Sequence, residues 1–165
     1  MTSEHEVIVE IPRGSKNKYE MDHDSGAIWL DRTLFTSMQY PADYGFFPHT
    51  LADDGDPLDA LVLLDESTFP GCHIHARPVA VFRMLDEKGA DEKVLCVPAT
   101  DPRWNHVQDI GDLPPYLLQE IEHFFDVYKA LEPGKSTESE GWKDKAQAER
   151  IIARYQDAYG GGPGT

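Results

Sequence analysis

A chain of 165 residues, 40% hydrophobic and 10% aromatic, carries enough apolar bulk for one sizeable core, which separates it from disordered sequences. Acidic residues number 30 against 15 Lys and Arg; the net charge of −15 argues against binding nucleic acid or an anionic membrane through bulk electrostatics. No apolar run approaches the ~18 residues of a membrane span, the acidic start MTSEHEVIVE lacks a signal-peptide pattern, and Cys72 and Cys96 are too few for a disulfide framework, so a cytoplasmic protein is expected.

The first two thirds read as strands and turns. VIVEI at 7–11 is β-branched and stops at Pro12. KYEMD at 18–22 alternates, placing Lys18, Glu20 and Asp22 on one face and Tyr19 and Met21 on the other. HDSG makes a turn, and AIWLDR at 27–32 returns as its hairpin partner. LDALVLL is apolar on both faces, as a covered strand would be, and RPVAVFRML at 77–85 pairs with KVLCVP at 93–98 through DEKGAD. The remainder is helical. DLPPYLLQEIEHFFDVYKALE opens with Asp112 as N-cap and places Leu117, Ile121, Phe124, Tyr128 and Leu131 on one stripe. WKDKAQAERIIARYQDAY repeats the theme through Trp142, Ala146, Ile152 and Tyr155. Strands followed by helices predict an α+β fold with a small closed or partly open barrel. One domain is expected over 1–160, with Gly160 stopping the last helix and 161–165 a disordered tail.

The chemistry gathers at DDGDPLDALVLLDES, where Asp53, Asp54, Asp56 and Asp59 crowd the mouth of an apolar strand. Like charges ~4 Å apart repel by about 4 kcal/mol at an effective dielectric near 20, so solvent, protonation or bound cations must offset them. The spacing fails the EF-hand template, since Leu58 and Asp59 fall at the fifth and sixth places counted from Asp54. Magnesium fits better: it keeps several waters and takes one or two carboxylates plus substrate phosphate oxygens. Asp86, Glu87 and Asp91 in DEKGAD, with Glu10 and Glu20, offer further acids, and no CxxC or HExxH pattern points to zinc. Acid-rich turns are commonly plain solvated surface; here they abut a buried strand. In CHIH, His73 and His75 share a strand face beside Cys72 without a further ligand, which suits a strand edge or subunit contact. Trp29, Trp104 and Trp142 read as core or interface.

DGDPLDA at 54–60 resembles the signature of soluble family I inorganic pyrophosphatases of the bacterial type. The landmarks IP…NKYE, SGAIWLDR, YPADYGFFPHT, PVAVFRMLDEKGADEKVLCVP and HFFDVYKALE agree in order, so the resemblance covers about 10–155. It implies a five-stranded OB-like antiparallel β-barrel with two C-terminal helices packed outside. It further implies hydrolysis of inorganic diphosphate to two phosphates, by a site of several Mg²⁺ ions with a metal-bridging water as nucleophile, and assembly as a hexamer. Mn²⁺ or other divalent ions are alternatives to Mg²⁺.

Residue by residue, the resemblance makes Asp54, Asp59 and Asp91 ligands of a tight metal pair, Asp86 and Glu20 ligands or contacts of further ions, and Asp56 the general base. Lys18, Arg32, Tyr44, Lys93, Tyr128 and Lys129 fall on phosphate-binding positions, with Glu10 and Tyr40 supporting. Lys18 directly precedes YE; Lys16, two residues earlier, is the alternative. Without the resemblance, Tyr128 reads as helix packing, Lys129 as a surface lysine, Arg32 as a hairpin cap and Glu20 as a partner of Lys18. The chemistry is coherent, because cations on the acidic wall turn it into a pocket for an anion. Two other functions stay open at this point: an OB-like binding module, which the charge disfavours for nucleic acid, and a hydrolase of larger phosphoanhydrides.

Overall fold

The computed structural model describes residues 3–160. Its strands are β1 (His5–Ile11), β2 (Asn17–Met21), β3 (Ile28–Thr33), β4 (Asp43–Phe46), β5 (Asp59–Val62), β6 (His73–Asp86), β7 (Gly89–Pro98) and β8 (Thr137–Asp144). Its helices are α1 (Pro115–Val127) and α2 (Lys145–Gly160), with two short 3₁₀ turns before α1. The main sheet runs β1-β4-β5-β7-β6, and β6 returns to pair with β1, closing a five-stranded barrel. β8 is added to the far half of β6, and β2 and β3 form a separate hairpin.

Four of the five pairings in the barrel are antiparallel and one, β5 with β7, is parallel. The reason is topological: strand direction cannot alternate all the way round a ring with an odd number of strands. That parallel pair sets Asp59 opposite Lys93.

Strand alternation sorts the core into two clusters. Ile11, Tyr44, Leu61, Phe82 and Leu95 join Ile121, Phe124, Phe125 and Tyr128 around α1. Val7, Ala60, Val62, Val94 and Cys96 join Ala148, Ile151, Ile152 and Tyr155 of α2. Thus β5 and β7 are apolar on both faces, as LDALVLL predicts. Between β1 and β4 the backbones approach so closely that a Cβ on Gly45 would lie 1.9 Å from the Ile8 carbonyl oxygen; only glycine fits. At the start of β4 the buried Asp43 carboxylate accepts from the Arg13 and Thr68 amides (2.9 Å each), the Ser67 hydroxyl (2.9 Å) and the Thr68 hydroxyl (2.5 Å). This clamp fixes the backbone that carries Tyr44.

Several local expectations are corrected. Asp112 does not cap α1; its carboxylate accepts from the Gln108 and Asp109 amides inside a 3₁₀ turn, and α1 begins after Pro114 with no side-chain cap. The apolar stripe holds through Tyr128, but Leu131 lies past the end of the helix and is exposed. Trp142 belongs to β8, because α2 starts only at Lys145, and Ala146 is exposed where Ala148 is buried. Of the tryptophans expected in core or interface, Trp104 and Trp142 pack against the core, and Trp29, exposed on β3, is not a core residue. The expected tail at 161–165 lies outside the described residues.

Candidate active site

A cleft of about 190 Å³ opens where the β2–β3 hairpin, the barrel and the end of α1 meet. The hairpin contributes Lys18, Glu20 and Arg32; β1 contributes Glu10; β4, β5 and β7 contribute Tyr44, Asp59, Asp91 and Lys93. The loop before β5 brings Asp54 and Asp56, the last residue of β6 is Asp86, and the residues just past α1 are Tyr128 and Lys129. Period-2 alternation explains why Asp91 and Lys93 both face the cleft while Glu92 turns away. Of the residues that the resemblance assigns to metal, base, phosphate or supporting roles, Tyr40 alone is not among those lining the cleft. It is buried behind it, its ring 5.5 Å from that of Tyr44 and 4.7 Å from that of Phe124. Lys18 lines the cleft, and Lys16 is exposed away from it.

Lys93 is the centre of the floor. Only 1% exposed, its ammonium donates to Tyr44 Oη (2.6 Å), Asp91 Oδ2 (2.9 Å) and Asp59 Oδ2 (3.0 Å), and Tyr44 in turn donates to Asp59 Oδ2 (2.8 Å). The ammonium also lies 4.9 Å and 4.8 Å from the ring centroids of Tyr44 and Phe125. Burial works to lower its pKa, but Asp59 and Asp91 overcome that and hold Lys93 well above the usual lysine range. Burial raises Tyr44, and the neighbouring Asp59 charge adds to it, so the phenol stays protonated.

Three carboxyl groups of the cleft have raised pKa values, each chiefly through burial. Burial pushes Glu10 up to about 7, against the pull of the hydrogen bond it accepts from the Met21 amide at 2.8 Å. Burial likewise raises Asp91, opposed by Lys93, and raises Asp54, with the Asp56 and Asp91 charges contributing. The Asp54 side chain accepts from the Asp56 amide at 3.0 Å, which shapes the loop tip.

Around this floor stand three more cations, each oriented by an acid. Arg32 is forked between Asp31 (Nη1, 2.5 Å) and Glu132 (Nη2, 3.1 Å), and its Nε is buried with no partner among the described residues. Burial works to lower the Arg32 pKa, but Asp31 and Glu132 raise it. Lys18 pairs with Asp31 at 3.6 Å rather than with Glu20. Lys129 lies 3.3 Å from both Glu87 oxygens and 3.8 Å from Asp86. Sequence reasoning missed Asp31, Glu132, Lys88 and Lys135 as parts of this neighbourhood, the last two of which line the cleft. Asp31 adjoins Arg32 in WLDR and could have been found there; nothing local marks Glu132.

The donor set is carboxylate and phenol oxygen without thiolate or imidazole, which suits a hard divalent cation. Among the described residues no three His, Cys, Asp or Glu side chains converge into a ready metal cage. Ions held here would therefore complete their shells with water and substrate oxygens, as magnesium usually does. At the other end of the molecule, His73 and His75 are exposed at the start of β6, with Glu6 Oε2 2.5 Å from His73 Nδ1. Among the described residues no helix is long and apolar enough to cross a membrane.

In sequence and fold the chain is similar to known proteins. The family model described as inorganic pyrophosphatase matches residues 7–160. Inorganic pyrophosphatases of Leifsonia xyli and Streptomyces coelicolor are each 58% identical to this chain, the first over 90% of the chain and 91% of its relative, the second over 92% and 93%. Among solved structures, the inorganic pyrophosphatase of Thermus thermophilus superposes with a TM-score of 0.93 at 49% identity, covering 95% of this chain and 91% of that one. That of Helicobacter pylori superposes with the same TM-score at 42% identity, covering 97% and 98%. With the match running through nearly the full length of sequence and fold, the chain belongs to the inorganic pyrophosphatase family.

Proposed function

We propose that this chain hydrolyses inorganic diphosphate to two phosphates, using several Mg²⁺ ions held in the cleft. One observation carries the reading. One small cleft gathers the carboxylates of Asp54, Asp56, Asp59, Asp86 and Asp91 together with the cations Lys18, Arg32, Lys93 and Lys129. Neither set alone would suit a highly charged anion; together they suit one that arrives with cations.

Asp54, Asp59 and Asp91 would hold two ions, and Asp86 and Glu20 would hold or contact others. When bound, divalent cations supply Lewis acidity and lower the pKa of water near them toward neutrality. Asp56, on the loop tip, takes the proton of the attacking water. Lys18, Arg32 and Lys129 bind phosphate oxygens, and the acids behind them keep each head group aimed before the substrate arrives. Lys93 is a fixed positive charge, since Asp59 and Asp91 hold it protonated. Tyr128 donates a hydrogen bond to phosphate without adding charge; burial raises its pKa, so the phenol keeps its proton. Glu10 and Tyr40 support from β1 and from behind Tyr44.

The test is phosphate release from diphosphate, measured colorimetrically with and without Mg²⁺. Release that is abolished by chelator and restored by Mg²⁺ is expected; release that ignores both would overturn the metal assignment, and none at all the function. A cleft of about 190 Å³ lies below the ~300–1,000 Å³ of sites for drug-sized ligands, which favours diphosphate over nucleoside triphosphates. A side-by-side assay with Mg²⁺, Mn²⁺ and Zn²⁺ on both substrates checks this. The reading includes a cytoplasmic homo-oligomer, a hexamer, for which exposed Trp29, Leu30 and Tyr116 supply apolar contact surface; sedimentation velocity measures its order.

A further inference from the structure

The segments that carry the proposed metal ligands are joined on the side of the sheet away from the cleft. Glu92 lies between Asp91 and Lys93 on β7 and points to the α2 face, where its Oε1 accepts a 2.5 Å hydrogen bond from the Tyr155 hydroxyl. The same hydroxyl lies 3.3 Å from Oδ2 of Asp53, the neighbour of Asp54. Main chain reinforces the contact, since the Leu51 amide donates to the Tyr155 carbonyl at 3.0 Å.

The loop so held has little else to fix it. Asp53, Asp54, Gly55 and Asp56 are exposed, Gly55 has φ +88°, and the loop closes on itself through Ala52 N to Asp56 O (2.8 Å) and Gly55 N to Ala52 O (3.0 Å). Tyr155, by contrast, is 3% exposed and anchored among Val94, Cys96 and Ile152. A phenol has one proton to donate, and the shorter contact gives it to Glu92. Asp53 is balanced by Arg154, whose Nη2 lies 3.5 Å from its Oδ2 and whose guanidinium stands 5.3 Å from the Tyr155 ring centroid.

We propose that Tyr155 is a positioning residue for metal binding: from behind the sheet it sets the separation between the loop bearing Asp54 and the strand bearing Asp91. Removing the hydroxyl leaves Glu92 without its donor and unties β7 from the Asp53 loop, so the segments that must converge on one group of ions lose a common anchor. This rests on the reading of Asp54 and Asp91 as metal ligands.

Magnesium titration calorimetry on the full chain without diphosphate tests it, comparing wild type with Tyr155→Phe. Loss of an outer contact to a ligand-bearing segment weakens metal affinity about tenfold, so a dissociation constant raised by that factor is expected, with turnover on diphosphate returning to the wild-type value at saturating Mg²⁺. An unchanged dissociation constant, or a turnover loss that saturating Mg²⁺ leaves in place, overturns the proposal. Should Tyr155→Phe fail to fold, Glu92→Ala keeps the buried ring but severs the hydrogen bond that ties β7 to Tyr155, and must raise the Mg²⁺ dissociation constant in the same direction; an unchanged constant overturns the proposal. Wild type taking up no Mg²⁺ would sink the metal reading itself, and the positioning role with it.

Discussion

Lys93 and Asp59 face each other across the parallel pair in the barrel, Nζ 3.0 Å from Oδ2, and the lysine is the buried member. Its charge is what lets Asp59 and Asp91 stand together when no other cation is near. Breaking such a pair from one side leaves uncompensated charge and costs about 3–5 kcal/mol. Lys93→Met should therefore destabilise the metal-free protein by about that amount, measured by urea unfolding in chelator. Added Mg²⁺ should reduce the loss, because divalent charge replaces the ammonium; an equal loss with and without Mg²⁺ would rule this out.

Asp56 and Asp59 are three residues apart but should separate cleanly in function. Asp56→Asn is expected to lower turnover at least a hundredfold, on the order of a lost general base, while keeping Mg²⁺ affinity by calorimetry. Asp59→Ala should lose Mg²⁺ uptake. Full turnover in Asp56→Asn would remove it from the general-base role.

Tyr128 divides into a packing ring and a hydroxyl without a hydrogen-bond partner among the described residues. The ring stacks on Phe124 at 5.2 Å between centroids and meets Phe125 edge-on at 5.5 Å. Tyr128→Phe keeps both contacts, so the melting temperature should hold within a few degrees. A hydrogen bond to a charged group contributes about 1.5–3 kcal/mol, so kcat/KM should fall about 10- to 100-fold. An unchanged kcat/KM returns Tyr128 to the packing role its helix stripe suggests.

Glu10 makes the metal-free protein sensitive to pH. Its pKa rises from 4.5 to about 7 in the fold, so the native state binds the proton more tightly than the unfolded chain. The stability from that proton is complete below pH 4.5 and is lost as pH rises through 7. The full swing is about 3 kcal/mol, at 1.36 kcal/mol per unit. Unfolding in chelator at pH 4.5 and 8 should show wild type losing stability relative to Glu10→Gln as pH rises; parallel profiles would contradict the shift.

Much of the fold is local in origin and so legible in the chain. The alternation of KYEMD and AIWLDR gives a hairpin that the structure contains as β2 and β3, and the two-faced apolar run LDALVLL gives β5. β4 leaves no mark in the chain, since DYGF is too short to show a period, and β8 is hidden because TESEGWKD is polar and owes its form to pairing with β6. The helix boundaries moved for the same kind of reason: Asp109 and Asp112 cap each other in a 3₁₀ turn instead of capping α1.

For the cleft, the chain by itself marked the aspartates around Gly55 and the acids of DEKGAD by composition and order, whereas Lys93 and the Tyr128–Lys129 pair stood out only through the family resemblance. Only the tertiary structure decided who orients whom. Glu132 reaches Arg32 from a turn distant in sequence, Tyr155 reaches Asp53 and Glu92 from the last helix, and Lys93 meets Asp59 through barrel closure. Spacing along a chain records the period of a helix or strand, whereas the partner of a buried charge is selected by packing between segments whose separation leaves no local trace.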